Sequence, residues 1–592
     1  VAIKRWFLLF FLCIFVVFGS VAALNVYVDP FGVFRAEPDS MSFTNNPRAA
    51  KIAWTERVGW QFDSYIVGAS LTSSYPVEKL NEYTGGNFYN MFGYGADMKK
   101  TADIARYLLK NHEIQNLIVN ISPVDAQVYD LDTGRITDEM HYKVSGENAL
   151  TFYFKFLFAN PRFALEKLKN QKNDTYLPQS FDVFNVGTGA YDKRVREVEK
   201  MHSFDEYLAN NSTFTSHSPT YRMLSKIPEC VAEIADIKAI CEEKGVNVTF
   251  IFSPMYYPDF QAYSPAELAD FQREIAKVTD FWDFSLSSVS LDARYFYDPT
   301  HFRNEVGAMA LARIYGNETA YVPDDFGAFV TAENVESHAE LFFRAEILGE
   351  NATDFARRVT VLTYHSISDD PDNAMCVTEA DFERQLLEYS AAGYETVSLR
   401  ELVAFVEKGD DLPEKPLVIT FDDGYLDNYS AAFPILQKHG MKAVIFAIGV
   451  SVGKDTYKDT GTPIFPHFSY AQAAEMVESG LVEVYSHSFD MHQSQTLDEN
   501  PRSGVLQREN ETEHEYIGAF RDDFEKSCEF LEGATGAEII GFAYPEGRYT
   551  NLSEALLIEM GVKVTMSTNA GTNVLVRGLP QTLLALNRIT MR

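Results

Sequence analysis

Leu417-Val418-Ile419-Thr420-Phe421-Asp422-Asp423-Gly424-Tyr425 is an apolar run that ends abruptly on two carboxylates and a glycine. The β-branched and aromatic residues read as a buried strand, and the Asp-Asp-Gly step as its end. Two adjacent carboxylates there point in different directions, so one can hold a metal while the other takes a proton. Gly424 permits a tight turn into the next helix. A lone Asp-Asp-Gly proves little, because turns favour these residues, so the case depends on the strand ends later in the chain.

Three further strand ends carry polar chemistry. Val482-Glu483-Val484-Tyr485 runs into Ser486-His487-Ser488-Phe489-Asp490-Met491-His492, which places two histidines five residues apart across a turn. Ile539-Ile540-Gly541-Phe542-Ala543 ends at Tyr544-Pro545-Glu546-Gly547, and Tyr364-His365 closes the strand that begins near Val359. One aspartate and two histidines suit a catalytic metal that keeps positions open for water and substrate.

Residues 359–592 resemble the polysaccharide deacetylase family, also called NodB-homology or carbohydrate esterase family 4. The resemblance rests on VLTYHSI, TFDDGY, SHSFDMH, FAYPEG and LNRI in that order. It implies a distorted (β/α) barrel with its site at the strand C-terminal ends, as is general for such barrels. It also implies a divalent metal, zinc by preference, on Asp423, His487 and His492, with Asp422 as the general base toward a metal-activated water. Tyr544, Pro545 and Glu546 would border the substrate, the backbone N–H of Glu546 facing the oxyanion. Two departures stand out. No histidine follows His514 to act as a late general acid, which leaves His365, a water or another side chain. Glu546 also stands where an aromatic is common.

Nearer the N-terminus, Ile66-Val67-Gly68-Ala69-Ser70 puts a serine just past a predicted strand. Tyr297-Asp298-Pro299-Thr300-His301-Phe302 puts Asp and His three apart, before a helix predicted from Asn304 to Ile314. Asp298 orienting His301, and His301 activating Ser70, would make a Ser-His-Asp triad. These segments resemble the SGNH/GDSL hydrolases over residues 60–318, with Gly-Ala-Ser in place of Gly-Asp-Ser. The resemblance implies an acyl esterase or transferase, with Gly93 (or Gly95) and Asn120 as oxyanion donors. Strand candidates Tyr65–Val67, Leu117–Val119 and Val246–Phe252, with an amphipathic stretch from Pro219 to Lys244, predict a doubly wound α/β domain around them.

Lys4 and Arg5 precede an apolar run from Trp6 to about Leu24. The run is long enough to cross a bilayer, and the basic pair places the N-terminus in the cytoplasm. The reading is a single-pass anchor with an extracytoplasmic body; the rival is a cleaved signal peptide processed near Ser20-Val21-Ala22. Predicted boundaries are 1–28 for the cytoplasmic stub and anchor, 29–330 for the serine domain, 331–358 for a polar linker and 359–592 for the barrel. The net charge of -33 over 592 residues argues against nucleic-acid binding, which needs Lys and Arg in excess. No Walker A or dinucleotide glycine motif is present. The five cysteines make no zinc spacing. The expected partners are therefore a polysaccharide substrate, the membrane, and glycan synthesis or export machinery. The leading function is N-deacetylation of a cell-surface N-acetylglucosamine polymer, with the serine site handling O-acyl esters. The alternatives are an O-acetyl glycan esterase, or a glycan-binding assembly protein with degenerate sites.

Overall fold

The computed structural model describes residues 2–35, 41–44, 46–130, 133–172, 176–177, 183–191, 193–344, 355–369 and 375–592. Among these, residues up to 193, 211–318 and 322–344 form one compact unit, and 194–210, 319–321 and 355–592 form another.

In the first unit the three predicted strands appear as β1 (Ser64–Gly68), β3 (Asn116–Ile121) and β4 (Asn247–Phe252), and β2 (Phe88–Phe92), β5 (Phe281–Asp283) and β6 (Ala328–Val330), which were not predicted, complete the sheet in the order β2-β1-β3-β4-β5-β6. All pair in parallel except β6, which runs antiparallel to β5. The buried runs in β1 and β3 follow from helices covering both faces of a parallel sheet. After β1 the chain turns to one side for β2 and to the other for β3. This makes a topological switch point, where open α/β sheets bind ligands beyond the strand carboxyl ends. The helix predicted from Pro219 starts only at Ile227 and runs to Lys244, with Pro228 in its first turn, where its missing N–H does no harm.

Helix Ala2–Val28 is long and apolar enough to cross a membrane, and a signal sequence would pass the same test. Its C-terminal end is fastened to the first unit: Asn25 donates through Nδ2 to the carbonyls of Leu157 and Ala159.

The second unit is built on a curled, mostly parallel sheet. Its strands are β7 (Ala356–Tyr364), β8 (Glu395–Thr396), β9 (Pro416–Asp423), β10 (Ala443–Ala447), β11 (Val482–Ser486), β12 (Gly541–Ala543), β13 (Val564–Met566), β14 (Asn573–Val576) and β15 (Ile589–Thr590). The path runs β13-β12-β11-β10-β9-β7-β14, with β8 on β9 and β15 on β7, and is parallel except for β14, which runs antiparallel to β7. The sheet bends back toward its start: Met566 bridges Leu586, and Ile589 and Thr590 pair with Leu362 and Thr363. Strand β12 is shorter than the apolar run from Ile539 suggests and meets β11 only at Ser486–Phe542.

The structure revises the drawn boundaries. The 331–358 linker is largely not a linker. Val335, Ala339 and Phe342 are buried in the first unit's core, and β7 already begins at Ala356. Residues 345–354 of that connector lie outside the described residues. Residues 194–210 and 319–321, drawn inside the serine domain, pack with the second unit, where Val574 donates to the His202 carbonyl and Tyr321 to that of Glu407. Neither short segment carries a hydrophobic period that would betray its long-range pairing.

Candidate functional site

At the carboxyl end of β9, Leu417, Val418, Ile419 and Phe421 are buried on both faces of the sheet, which anchors the following residues rigidly. Asp423 then adopts a left-handed backbone (φ 71°), a conformation that costs a non-glycine residue on the order of 1–3 kcal/mol and gathers at functional sites. Gly424 follows at φ 83°, where a Cβ would press on Ala447 and Phe468.

One carboxylate oxygen of Asp423 lies 3.6 Å from Nε2 of His487 and 3.7 Å from Nε2 of His492. The three donor atoms sit within 4.8 Å of one another. These gaps are too long for hydrogen bonds. They are close to what a single cation needs, since ligand bonds of about 2 Å at tetrahedral angles place donors a little over 3 Å apart. Nδ1 of His487 donates to the Ala543 carbonyl at 2.8 Å, which leaves the Nε2 lone pair facing Asp423. Burial pushes the His487 pKa down to about 4, so the ring is neutral at pH 7 and its lone pair is free to ligate. The donor set therefore fits a divalent cation.

The loop carrying the histidines is braced from behind. Asp523, on helix Glu513–Thr535, accepts the backbone N–H groups of Phe489 and Asp490 at 2.8 and 2.7 Å. Burial raises its pKa to about 6 against those bonds. Ser488, also left-handed (φ 71°), accepts from the N–H groups of Met491 and His492. Ser527 of the same helix donates to Ser486.

Asp422 precedes Asp423 and is close enough to His487 to interact with it electrostatically. Its two oxygens each accept from Arg588, both at 2.7 Å, in a buried fork. Burial alone would raise the Asp422 pKa, but the Arg588 charge, aided by His487 and His365, holds it far below the usual carboxylate range. It is ionised at neutral pH. Arg588 also donates to the Ser567 carbonyl. Arg588 stands in Leu586-Asn587-Arg588-Ile589, where nothing local in the sequence marks its pairing with Asp422. His365 follows β7 near Asp422, and its carbonyl accepts from Asn428. His467 is likewise unmarked in the sequence. Its ring packs 5.0 Å from Tyr425, whose hydroxyl donates to Asp423.

Tyr544 and Pro545 need correction as substrate contacts. Both are buried, and the Tyr544 ring stacks on Tyr549. Only Glu546 reaches solvent, at φ 57° and paired with Arg548.

Residues 409–565 match the family model for polysaccharide deacetylase. The C-terminal unit carries a polysaccharide deacetylase domain. The match takes in Asp422, Asp423, His487, His492 and Glu546 and stops short of Arg588. The deacetylase domain is 28% identical over 219 residues to YxkH of Bacillus subtilis (strain 168), whose name places it with polysaccharide deacetylases; this covers 37% of this chain and 67% of that protein. It is 26% identical over 246 residues to the poly-beta-1,6-N-acetyl-D-glucosamine N-deacetylase of Escherichia coli (strain K12), covering 38% of this chain and 36% of that protein. Among solved structures, IcaB from Ammonifex degensii aligns at 26% identity and TM-score 0.34, covering 40% of this chain and 92% of that one.

Outside the deacetylase domain, the first unit assembles the three residues of the serine site. Ser70 Oγ lies 2.9 Å from His301 Nε2, and His301 Nδ1 lies 2.9 and 3.0 Å from the Asp298 oxygens. Ser70 follows β1 at the switch point. A Cβ at Gly68 would collide with Thr72 Oγ1, which accounts for glycine there. The Asp-His loop is a tight hairpin: Tyr297 donates to the His301 carbonyl, and Asp298 accepts from the N–H groups of Thr300 and His301. Burial opposes ionisation of Asp298, but its bond to His301 wins and lowers its pKa.

Two of the expected oxyanion donors, Gly93 and Asn120, already donate hydrogen bonds within the fold. The Gly93 N–H is committed to the Gly68 carbonyl. Asn120 is buried, its Nδ2 donates to Thr72, and its Oδ1 accepts from Tyr75 and Ser253. Both positions were assigned from chain order, which says nothing about which hydrogen bonds are already made.

Proposed function

We propose that this chain is a membrane-anchored, outward-facing hydrolase that removes N-acetyl groups from an N-acetylglucosamine-containing cell-surface polysaccharide. The observation that carries the reading is the three-donor cluster of Asp423, His487 and His492 with the ionised Asp422 beside it. The curated relatives, one of which acts on poly-beta-1,6-N-acetyl-D-glucosamine, support the substrate class. The chain spans about two thirds of one relative and about a third of the other.

Asp423, His487 and His492 would hold the metal. A divalent cation there supplies Lewis acidity, polarising the acetyl carbonyl and acidifying a water. Asp422 takes the proton of the attacking water, kept ionised and aimed by Arg588. The water oxygen bonds to the acetyl carbon, the carbon–nitrogen bond breaks, and acetate and a free amine leave. We assign His365 the proton delivered to the departing nitrogen, from its place near Asp422. Zinc is the expected ion. Incubation of the full chain with N-acetylglucosamine oligomers, with and without chelator, should give acetate release that the chelator abolishes. Acetate release indifferent to chelator, or none at all, contradicts the reading. An O-acetyl esterase would show itself in the same assay by preferring O-acetylated over N-acetylated glycan.

A second activity at Ser70 is favoured by the hydrogen-bonded chain Ser70–His301–Asp298. Attack by Ser70 on an O-acyl ester, with His301 as base, would hydrolyse or transfer acyl groups on the same or a related polymer. The apolar helix Ala2–Val28, exposed from Ile3 to Ser20 and with Lys4 and Arg5 in its first turn, supports the anchor and its orientation.

A further inference from the structure

Helix Ala149–Leu157 is apolar nearly all round. Phe152 and Phe156 are buried on one side with Phe31, Ala159 and Phe163. On the other side, Leu150, Phe154 and Phe158 recur every four residues and form a stripe along one face. Leu150 is 82% and Phe154 62% exposed, and Leu165 on the adjoining helix Arg162–Lys172 is 59% exposed. A soluble helix exposes such a stripe only where something covers it.

The stripe continues onto the N-terminal apolar helix. Phe154 and Phe158 rings lie 4.7 Å apart, and Phe158 lies 5.7 Å from the Phe18 ring. The junction is rigid: Asn25 is bonded to the Leu157 and Ala159 carbonyls, and Lys167 to that of Asp29. Phe18 is six residues below Leu24, where the apolar run ends, a depth of about 9 Å at a 1.5 Å rise per residue. Interfacial helices bury their apolar face about 5–10 Å into the headgroup and acyl boundary.

We infer that helices Ala149–Leu157 and Arg162–Lys172 form an interfacial element that sinks Leu150, Phe154, Phe158 and Leu165 into the outer leaflet beside the membrane span. The occupant is the lipid bilayer, because the stripe is continuous with the surface of the span. The polar flank carries Lys155, held by Glu139 and Glu147 on the side away from lipid. The inference rests on the proposed membrane anchor. Together they make the span and the helix pair a two-part seat, which fixes how the first unit stands on the membrane.

The test is photo-crosslinking of the full chain in phosphatidylcholine–phosphatidylglycerol vesicles. p-Benzoylphenylalanine replaces Phe154, Leu165 or, as the reference within the span, Phe11, one at a time. Phospholipid adducts are expected at all three positions. Lipid adducts at 11 with only water quenching or protein adducts at 154 and 165 would overturn the inference and leave the anchor standing. Protein adducts would then mark a second copy or another protein on the stripe. No lipid adduct at any position would remove both the anchor reading and this one. Both body positions are exposed, so substitution there leaves folding intact, checked by an unchanged melting profile.

Discussion

The two candidate sites are built to different standards. The metal cluster is braced: Asp422 and His487 are almost wholly buried while His492 is 30% exposed, one ligand is oriented by the Ala543 carbonyl, the histidine loop is held by Asp523, and the base is gripped by Arg588. The serine site has the bonds of a triad, but its Asp298 and His301 side chains stay 39% and 35% exposed, and Gly93 and Asn120 donate hydrogen bonds elsewhere. Supporting interactions, rather than the presence of reactive residues, separate a preorganised site from a less constrained one. The same difference appears in sequence: the buried site matches a family model, and its motifs were readable in order.

The comparison breaks most sharply if the two sites can be silenced separately. Ser70→Ala should abolish ester hydrolysis, on the order of 10⁶-fold if the triad works as a unit, while leaving acetate release from N-acetylated oligomers unchanged. Loss of both activities together would show that the sites are not independent. Asp422→Asn should lower deacetylation about 10²–10⁴-fold with metal content and ester hydrolysis intact, read by acetate release and elemental analysis of the same sample.

Arg588→Met probes the burial of the deacetylase site. It leaves a buried carboxylate without its partner, which costs about 3–5 kcal/mol at pH 7, read as a lowered melting transition. The pH dependence carries a sign. In the wild type, Asp422 is held below the ordinary value of 3.8, so its contribution is complete above that pH and is lost as pH falls through its folded value. In the variant, burial has lost its main opponent and raises that pKa, so the deficit should be largest at neutral pH and shrink toward pH 4. A deficit independent of pH would mean that Arg588 acts through packing alone. Asp523→Ala, the mildest change, should weaken metal affinity about 10–100-fold while the metal-free protein melts nearly as before; Asp523→Asn, which keeps an acceptor oxygen, should recover part of the affinity. Equal losses of affinity and metal-free stability would make Asp523 merely structural.

Much of this was legible in sequence because it is local. Strand ends at Asp423, Ser486 and Ala543 follow from apolar runs, and Asp423, His487 and His492 stand in short, ordered motifs. What stayed hidden is long-range. Arg588 meets Asp422 across 166 residues, and nothing around an arginine near the chain end announces a buried partner. Asp523 is one acidic residue among many on an amphipathic helix, and only packing reveals that it faces the histidine loop. Tyr544 looked like a substrate contact from its place after a strand, whereas its ring turned inward. Residues 194–210 joined the second unit through pairings with residues near 574–581, a separation no periodicity encodes.

The central claim is that one carboxylate and two imidazoles gather around a single cation. Elemental analysis of the purified full chain, wild type beside Asp423→Ala, addresses it directly. About one equivalent of divalent metal in the wild type and essentially none in the variant is the predicted result. Equal metal content in the two proteins, or none in either after loading with zinc, would contradict it.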